Sequence, residues 1–410
     1  MLDAGCGRLC AIPCERSADT RGGGVLAAIV GGKLQGVEAA YLARKAGWER
    51  LLLDKRPQPP ALPLVDRSVC LDVCCPAALE RALKGVDVIV PALENDAALT
   101  SLVRHARHSG VPLAFDPAAY AVSSSKKRSD RLFLDNGLPV PPPWPGCPLP
   151  VIAKPSGESG STGVRLFSDE TALRTFARRA EGEWVYQAFV EGPSYSVEVV
   201  GGPGRYTAFQ VTDLEMDRNY DCKRVAAPSG LAPHLKRRFQ EMAKDIAALV
   251  ALKGLMDVEV VQHGDALRIL EIDARLPSQT PIVVHASTGV NLLAELVHFC
   301  RGDRMEAAAQ PAPAPRRGVV LEHIHAARGR LAVQGEHIMS RYGPLYLETD
   351  FFGADEAVTS RVNGCDAWVA TLIFQESDRA AAWAKRQQTI DAIRRRFHLE
   401  PVKDESPQGA

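Results

Sequence analysis

Between Met256 and Thr280 three acids, Glu259, Glu271 and Asp273, interrupt two apolar runs with the length and composition of buried strands. The runs cover residues 256–261 and 267–272, and Gln262-His263-Gly264-Asp265 separates them. Paired as a hairpin, they bring Glu259 and Glu271 to one side. Asp273 faces the same way because strand side chains alternate. Carboxylates among Val, Ile and Leu cannot stay charged without a counter-charge. Any fold of this chain must therefore bring cations to the hairpin. Mg²⁺ suits the task, because it takes oxygen ligands in an octahedron and shares them with nucleotide phosphates. Arg275, two residues past Asp273, suits a phosphate. A lone E-x-D is more often a charged edge in water, and the apolar flanks distinguish this one.

With 410 residues the chain exceeds one ordinary core and divides into about two to four domains. Its 49 basic and 49 acidic residues balance, which gives no electrostatic case for nucleic acid or an anionic membrane. No run of about 18 apolar residues suggests a membrane span. Residues 1–24 lack the apolar stretch of a signal peptide and read as a loose tail. Cys6, Cys10 and Cys14 recur there every four residues, without a fourth ligand at a familiar metal spacing. The remaining cysteines are scattered, as reduced thiols of a cytoplasmic protein are.

Strands are expected at residues 25–30, at 49–54 ending on Asp54, at 86–92 and at 111–115. They alternate with helical stretches, so residues 25–120 read as an open parallel α/β domain. A helix, KKRSDRLFLDN, leads into GLPVPPPWPGCPLP, whose prolines exclude helix interior and central strand. Residues 121–195 are read as this linker and a small lid domain. Residues 196–310 are read as the metal-binding domain. The PAPAP segment at 311–315 marks a joint, 311–400 a C-terminal lobe, and 401–410 a polar tail.

Four further constellations carry chemistry. GGKLQG follows the first strand, where glycines allow a tight turn onto a helix N-terminus that binds anions. With Asp54 ending the next strand it suggests a dinucleotide fold, but GGxxxG is not GxGxxG. Lys154 closes an apolar strand and either snorkels or meets a phosphate. Lys126 starts the basic run Lys126-Lys127-Arg128, which alone reads as a solvated helix start. SGESGSTG (156–163) is not a Walker A loop, but it is able to fold over phosphates. QAFVEG (187–192) is a strand edge whose backbone is able to pair with an adenine ring.

Taken in order, Lys126, Lys154, the Gly/Ser loop, the strand edge, Glu259, the E-x-D pair and Arg275 resemble the ATP-grasp superfamily of ligases. VGGKLQGVEAAYLARKAG, ENDAAL, NYDC, GLMDVEVV and EIDARLPSQTP are similar to a narrower family within it. Those are the pyrrolysine-biosynthesis ligases that join 3-methyl-D-ornithine to L-lysine. The first 24 residues have no counterpart in that family.

The resemblance implies an ATP-grasp fold: an N-terminal open parallel α/β domain, a small lid, an α+β part holding two Mg²⁺, and a C-terminal lobe. ATP would lie between two antiparallel sheets. Lys126 and Lys154 would contact its phosphates, and Ser159, Gly160, Ser161 and Thr162 would close over them. Backbone at Gln187, Ala188 and Val190 would hold adenine, with Asp54, Leu71 and Asp72 beside ATP. Glu259, Glu271 and Asp273 would ligate the metals, and Arg275 would stabilise the transferring phosphoryl group. Lys33, Leu34, Gln35 and Glu94 would bind the amino acids, with Tyr220, Asp221, Ser278 and Thr280 nearby. The chain departs from many superfamily members at Ser194, where a ribose-binding glutamate is usual, and at Asp273, where asparagine is common. Base rates favour a C₂ homodimer.

Overall fold

The structure, a computed structural model, describes residues 24–302 and 317–407. The Cys6, Cys10 and Cys14 triplet and the PAPAP joint lie outside the described residues. The N-terminal domain holds β1 (Leu26–Val30), α1 (Leu34–Lys45), β2 (Glu49–Asp54), β3 (Arg67–Cys70), α2 (Pro76–Ala82), β4 (Val88–Pro91) and α3 (Asp96–Ser109). Its four strands are all parallel, in the order β3-β2-β1-β4. Three of the expected strands are present. The fourth is not 111–115 but β3. Pro112 lacks an N–H, and the segment reaches β4 only through a single bridge between Ile89 and Leu113.

Two short helices follow, α4 (Pro117–Ser123) and α5 (Lys126–Asp135). Asp116 caps α4 and also accepts from the Lys253 amide at 2.7 Å, which ties this corner to the large sheet. Ser125 caps α5. The lid is a three-stranded antiparallel sheet of β5 (Val151–Pro155), β6 (Arg165–Phe167) and β7 (Trp184–Ala188), in the order β6-β5-β7. It carries α6 (Glu170–Arg179), capped by Asp169 at 2.6 Å from the Ala172 amide.

The rest is built on one sheet. Its elements are β8 (Ser194–Gly202), β9 (Arg205–Ala208), β10 (Thr212–Met216), β11 (Cys222–Ala227), α7 (Pro233–Leu249), β12 (Gly254–His263) and β13 (Ala266–Asp273). They continue through α8 (Thr280–Thr288), α9 (Leu292–Arg301), β14 (Gly318–Ala327), β15 (Arg330–Val333), β16 (Tyr346–Phe351), β17 (Ala354–Thr359), β18 (Ala367–Glu376), α10 (Arg379–Phe397) and β19 (Lys403–Asp404). The strand order is β13-β12-β8-β10-β11-β14-β18-β17-β16, with β9 on β8, β15 on β14, and β19 on β15. The β11–β14 pairing carries the sheet across the expected division near residue 310. The C-terminal lobe is therefore continuous with the metal-binding part rather than a separate lobe.

Residues 401–407 do not form a loose tail. β19 pairs in parallel with β15, and the buried Lys223 Nζ donates to Asp404 Oδ1 (2.7 Å), Glu405 O (2.8 Å) and Ser406 Oγ (3.3 Å). A buried ammonium needs such partners.

The N-terminal domain shares its core with the large sheet. Tyr41 and Leu42 of α1 are buried in one cluster with Ile282, Val283, Leu293 and Leu296 of α8 and α9. Each fully buried aliphatic side chain there contributes about 1.5–3 kcal/mol. Glu38 of α1 accepts from the amides of Gln279 (3.0 Å) and Ile282 (2.8 Å), and so caps α8 from another domain. Among the described residues no single helix is long and apolar enough to cross a membrane.

Candidate active site

The hairpin of β12 and β13 pairs Glu259 directly with Glu271 and Asp257 with Asp273. All four acids share one face, because alternate residues of a strand do. On the other side of β12, Asp257 pairs with Glu198 of β8. Sequence reasoning missed Asp257 and Glu198, although each interrupts an apolar strand with the same alternation. Among the described residues one oxygen each of Asp257 and Asp273 is buried without a hydrogen-bond partner, and the fully buried Glu198 has the Thr280 hydroxyl beside it. Lost hydration pushes Glu259 up to about 8, and Asp273 and Glu198 up to about 7. Burial also acts to raise Glu271, but Lys126 and Lys154 outweigh it and hold that carboxyl below its ordinary value. Oxygen donors crowded on one face with unspent lone pairs fit a hard divalent cation. Glu259, Glu271 and Asp273 present such oxygens on this face and could hold one; a separate group, Asp221, Glu336 and His337, brings its ligand atoms within 4.8 Å of one another.

Two acids of this face, Glu259 and Glu271, line a cleft of about 450 Å³ between the lid sheet and the large sheet, whereas Asp257, Asp273 and Arg275 do not. Lys126, at the start of α5, places Nζ 3.1 Å from Glu271 Oε2 and donates to the Glu158 carbonyl at 2.8 Å. It is thus no solvated helix start. Lys154 of β5 lines the same cleft, and lost hydration lowers its pKa. Gln187, Ala188, Val190, Ser161, Thr162, Tyr220 and Ser194 line it too, with Ile152, Met216, Val261 and Leu270 as apolar wall. The Gln187 side chain turns to Asp130 at 2.6 Å. The Ala188 and Phe189 amides are donated to the Pro142 and Pro150 carbonyls, which leaves the Val190 end of the edge for pairing.

The lid loop is docked. Ser161, with φ of +58°, donates its hydroxyl to the Tyr220 carbonyl at 2.6 Å. Gly160, with φ of +56°, packs on His337, where a Cβ would lie 2.0 Å from the ring. Ser159 reaches a second cavity of about 670 Å³.

That second cavity gathers Lys33, Leu34, Gln35 and Glu94 with His337 and Ser340. It also holds Asp54, Leu71 and Asp72, which therefore stand with the expected amino-acid residues and not in the lysine-lined cleft. Asp54 accepts from the Gly32 amide at 2.8 Å and pairs with Arg56 at 2.7 Å, so its oxygens stabilise the glycine turn. Gly31 adopts φ of +101°, and a Cβ there would meet the Ala92 carbonyl at 2.4 Å. Gln35 Nε2 donates to Glu94 Oε1 at 2.6 Å, and Arg275 Nη2 reaches the same oxygen at 2.7 Å. Arg275 Nη2 also lies 2.7 Å from Asp273 Oδ2. The cavity thus communicates with the acid hairpin through one guanidinium. Asp221 is bonded to His337 behind this cavity, and Ser278 to Glu336. Thr280 is buried beside Glu198 and lines neither space.

An ATP-grasp domain profile matches residues 124–279, the segment that holds the lid, both lysines and the acid hairpin. The 3-methyl-D-ornithine–L-lysine ligase of Methanosarcina acetivorans is 36% identical over 374 residues, covering 90% of this chain and 98% of that protein. The chain belongs to the 3-methyl-D-ornithine–L-lysine ligase family. The Methanosarcina barkeri member is 35% identical over the same lengths. Solved structures agree on the fold of this ligase family. Biotin carboxylase of Campylobacter jejuni superposes with a TM-score of 0.70 at 15% identity, covering 89% of this chain and 91% of that one. An L-amino acid ligase of Bacillus licheniformis does so at 0.65 and 16%, covering 90% and 97%. The ATP-grasp fold and the carbon–nitrogen ligase class of the family are those of this chain.

Proposed function

We propose that this chain joins the carboxylate of (3R)-3-methyl-D-ornithine to the ε-amine of L-lysine, converting ATP to ADP and phosphate. The observation that carries the reading is the adjacency of two spaces. An acid- and lysine-lined cleft suited to a magnesium nucleotide adjoins a polar cavity suited to amino acids, and Arg275 joins them.

In the proposed sequence the ornithine carboxylate attacks the γ-phosphorus, the bond to the β-γ bridging oxygen breaks, and ADP leaves. Lys126, Lys154 and Arg275 stabilise the charge on the phosphoryl oxygens. Two Mg²⁺ held by Glu259, Glu271 and Asp273 would add charge neutralisation and fix the in-line geometry. The lysine amine then attacks the acyl carbon and displaces phosphate. Acylphosphates hydrolyse in water, so the Ser159–Thr162 loop serves to exclude it. Glu94 and the carboxylates around Ser278 favour cationic substrates, which both amino acids are.

Mass spectrometry of a reaction holding ATP, Mg²⁺, D-ornithine and L-lysine tests the proposal. An ornithyl-lysine amide, with ADP release that requires ornithine, is expected. ATP turnover driven by bicarbonate and indifferent to both amino acids would overturn it.

A further inference from the structure

Amide formation requires the lysine ammonium to lose a proton, and two acids at or beside the second cavity, Glu94 and Asp221, are already engaged. Glu94 accepts from Gln35 and from Arg275. Asp221 accepts from the His337 ring nitrogen Nδ1 at 2.9 Å and from the His337 amide at 3.1 Å. We propose that His337, oriented by Asp221, takes the proton from the ε-amine during amide formation. The inference rests on the ligase reading of the same site.

A carboxylate on Nδ1 requires that nitrogen to carry the hydrogen, so Nε2 is left as the acceptor. His337 lines the second cavity together with Glu94 and Gln35, the space that the proposed function gives to the amino acids. The lid covers it, since a Cβ on Gly160 would lie only 2.4 Å from Nε2. Docking of the loop that shields the acylphosphate therefore also encloses the imidazole. The dyad is built into the backbone as well. Gly335 lies against Asp221, and any Cβ there would come within 2.0 Å of the carboxylate carbon. Its amide donates to Asp217 Oδ2 at 3.1 Å, which sets the turn.

The charged neighbours bear on how strongly the imidazole holds a proton. Asp221 lies on the loop before β11, Glu336 beside the histidine on its own segment, and Glu94 in the lining of the same cavity. The Asp221 hydrogen bond raises the His337 pKa, burial opposes it, and the Glu336 and Glu94 carboxylates support the rise. Burial keeps His323 of β14 neutral, while Arg218, Arg341 and Lys403 line a cavity with His337 on its Asp221 side, together with Asp217 and Glu405. In the balanced step, the amine nitrogen bonds to the acyl carbon and the carbon–oxygen bond to phosphate breaks. One ammonium proton goes to Nε2, and the second leaves with the phosphate as hydrogen phosphate.

Hydroxylamine separates this role from a structural one, because it is neutral at pH 7 and needs no deprotonation before it attacks. In H337Q, ATP and D-ornithine are expected still to give the hydroxamate, while the lysine amide forms ~10²–10⁴-fold more slowly. The acid limb of the wild-type rate of amide formation is expected to vanish in H337Q. In D221N that limb is expected to move to lower pH, since the carboxylate that raises the imidazole pKa is gone. Amide formation at the wild-type rate in H337Q, or hydroxamate lost in parallel with amide, overturns the proposal. So does an acid limb that stays in place in D221N. A wild-type enzyme that makes no hydroxamate at all overturns the ligase reading itself, and this inference with it.

Discussion

Glu94 and Arg275 meet at 2.7 Å across the seam between the parallel domain and the acid hairpin. The guanidinium nitrogen that Glu94 engages is the one that holds Asp273. Removing the Glu94 charge leaves Arg275 to neutralise Asp273 alone. We expect E94Q to lower kcat/KM for the amino acids by about tenfold or more, roughly 1.4 kcal/mol, with little change in ATP affinity. Steady-state titration of each substrate checks this.

Glu271 is the carboxylate that Lys126 and Lys154 keep ionised. E271Q removes a ligand charge while keeping the shape. Ornithine-dependent ADP release should fall ~10²-fold or more, because charge neutralisation of the phosphates supplies several kcal/mol. The Mg²⁺ concentration needed for half-maximal rate should rise. A variant that releases ADP normally would remove the hairpin from the site.

Gly160 meets the His337 ring in a left-handed conformation. G160A therefore strains the loop and pushes it off the ring. The acylphosphate should then reach water before the amine does. ADP formed per amide, close to one in a sealed site, is expected to rise well above one, and parallel ADP and product assays read the ratio.

Lys223 has three acceptors, all on residues 404–406. Truncation after residue 402 leaves a buried ammonium unpaired, at a cost of about 3–5 kcal/mol. The melting temperature should fall by several degrees, and K223M should recover part of the loss in the truncated chain. Ser406 and Pro407 also line the lysine-bearing cleft, so KM for ATP should rise in both. Differential scanning calorimetry and ATP titration test the two effects separately.

His323 is buried, shares one hydrogen bond with Thr371 Oγ1 at 2.8 Å, and among the described residues finds no partner for its other nitrogen. Burial pushes its pKa down to about 3 from the ordinary 6.5. The folded state therefore binds fewer protons than the unfolded state between those values. The stability it contributes is present above pH 6.5 and is lost as pH falls toward 3, at no more than about 1.4 kcal/mol per pH unit. H323L should remove that increment, seen as a shallower fall of melting temperature with acid than in the wild type.

Legibility in the sequence followed how local each signal is. The Glu259, Glu271 and Asp273 face was readable because a hairpin and its alternation lie within one short segment. Glu198 escaped because its place beside Asp257 depends on the pairing of β8 with β12, which no local pattern encodes. The parallel domain was readable from its apolar strands, but RSVC, short and half-polar, was passed over while proline-bearing VPLAF was overread. His337 gave no signal, since its partner Asp221 is 116 residues away and its own segment is a short 3₁₀ turn. The docking of 401–407 was hidden for a related reason. A polar segment looks loose until the buried Lys223 that binds it is seen.

The large sheet has a mechanical consequence. Because β11 pairs with β14, the acid hairpin and the C-terminal strands belong to one stiff plate. The parallel domain is fastened to that plate by Glu38 on α8, by Tyr41 with Glu356, and by Glu94 with Arg275. The three-stranded lid pairs with neither sheet. Breathing on the turnover timescale should be concentrated in that one flap, and substrates should enter and leave past its edge.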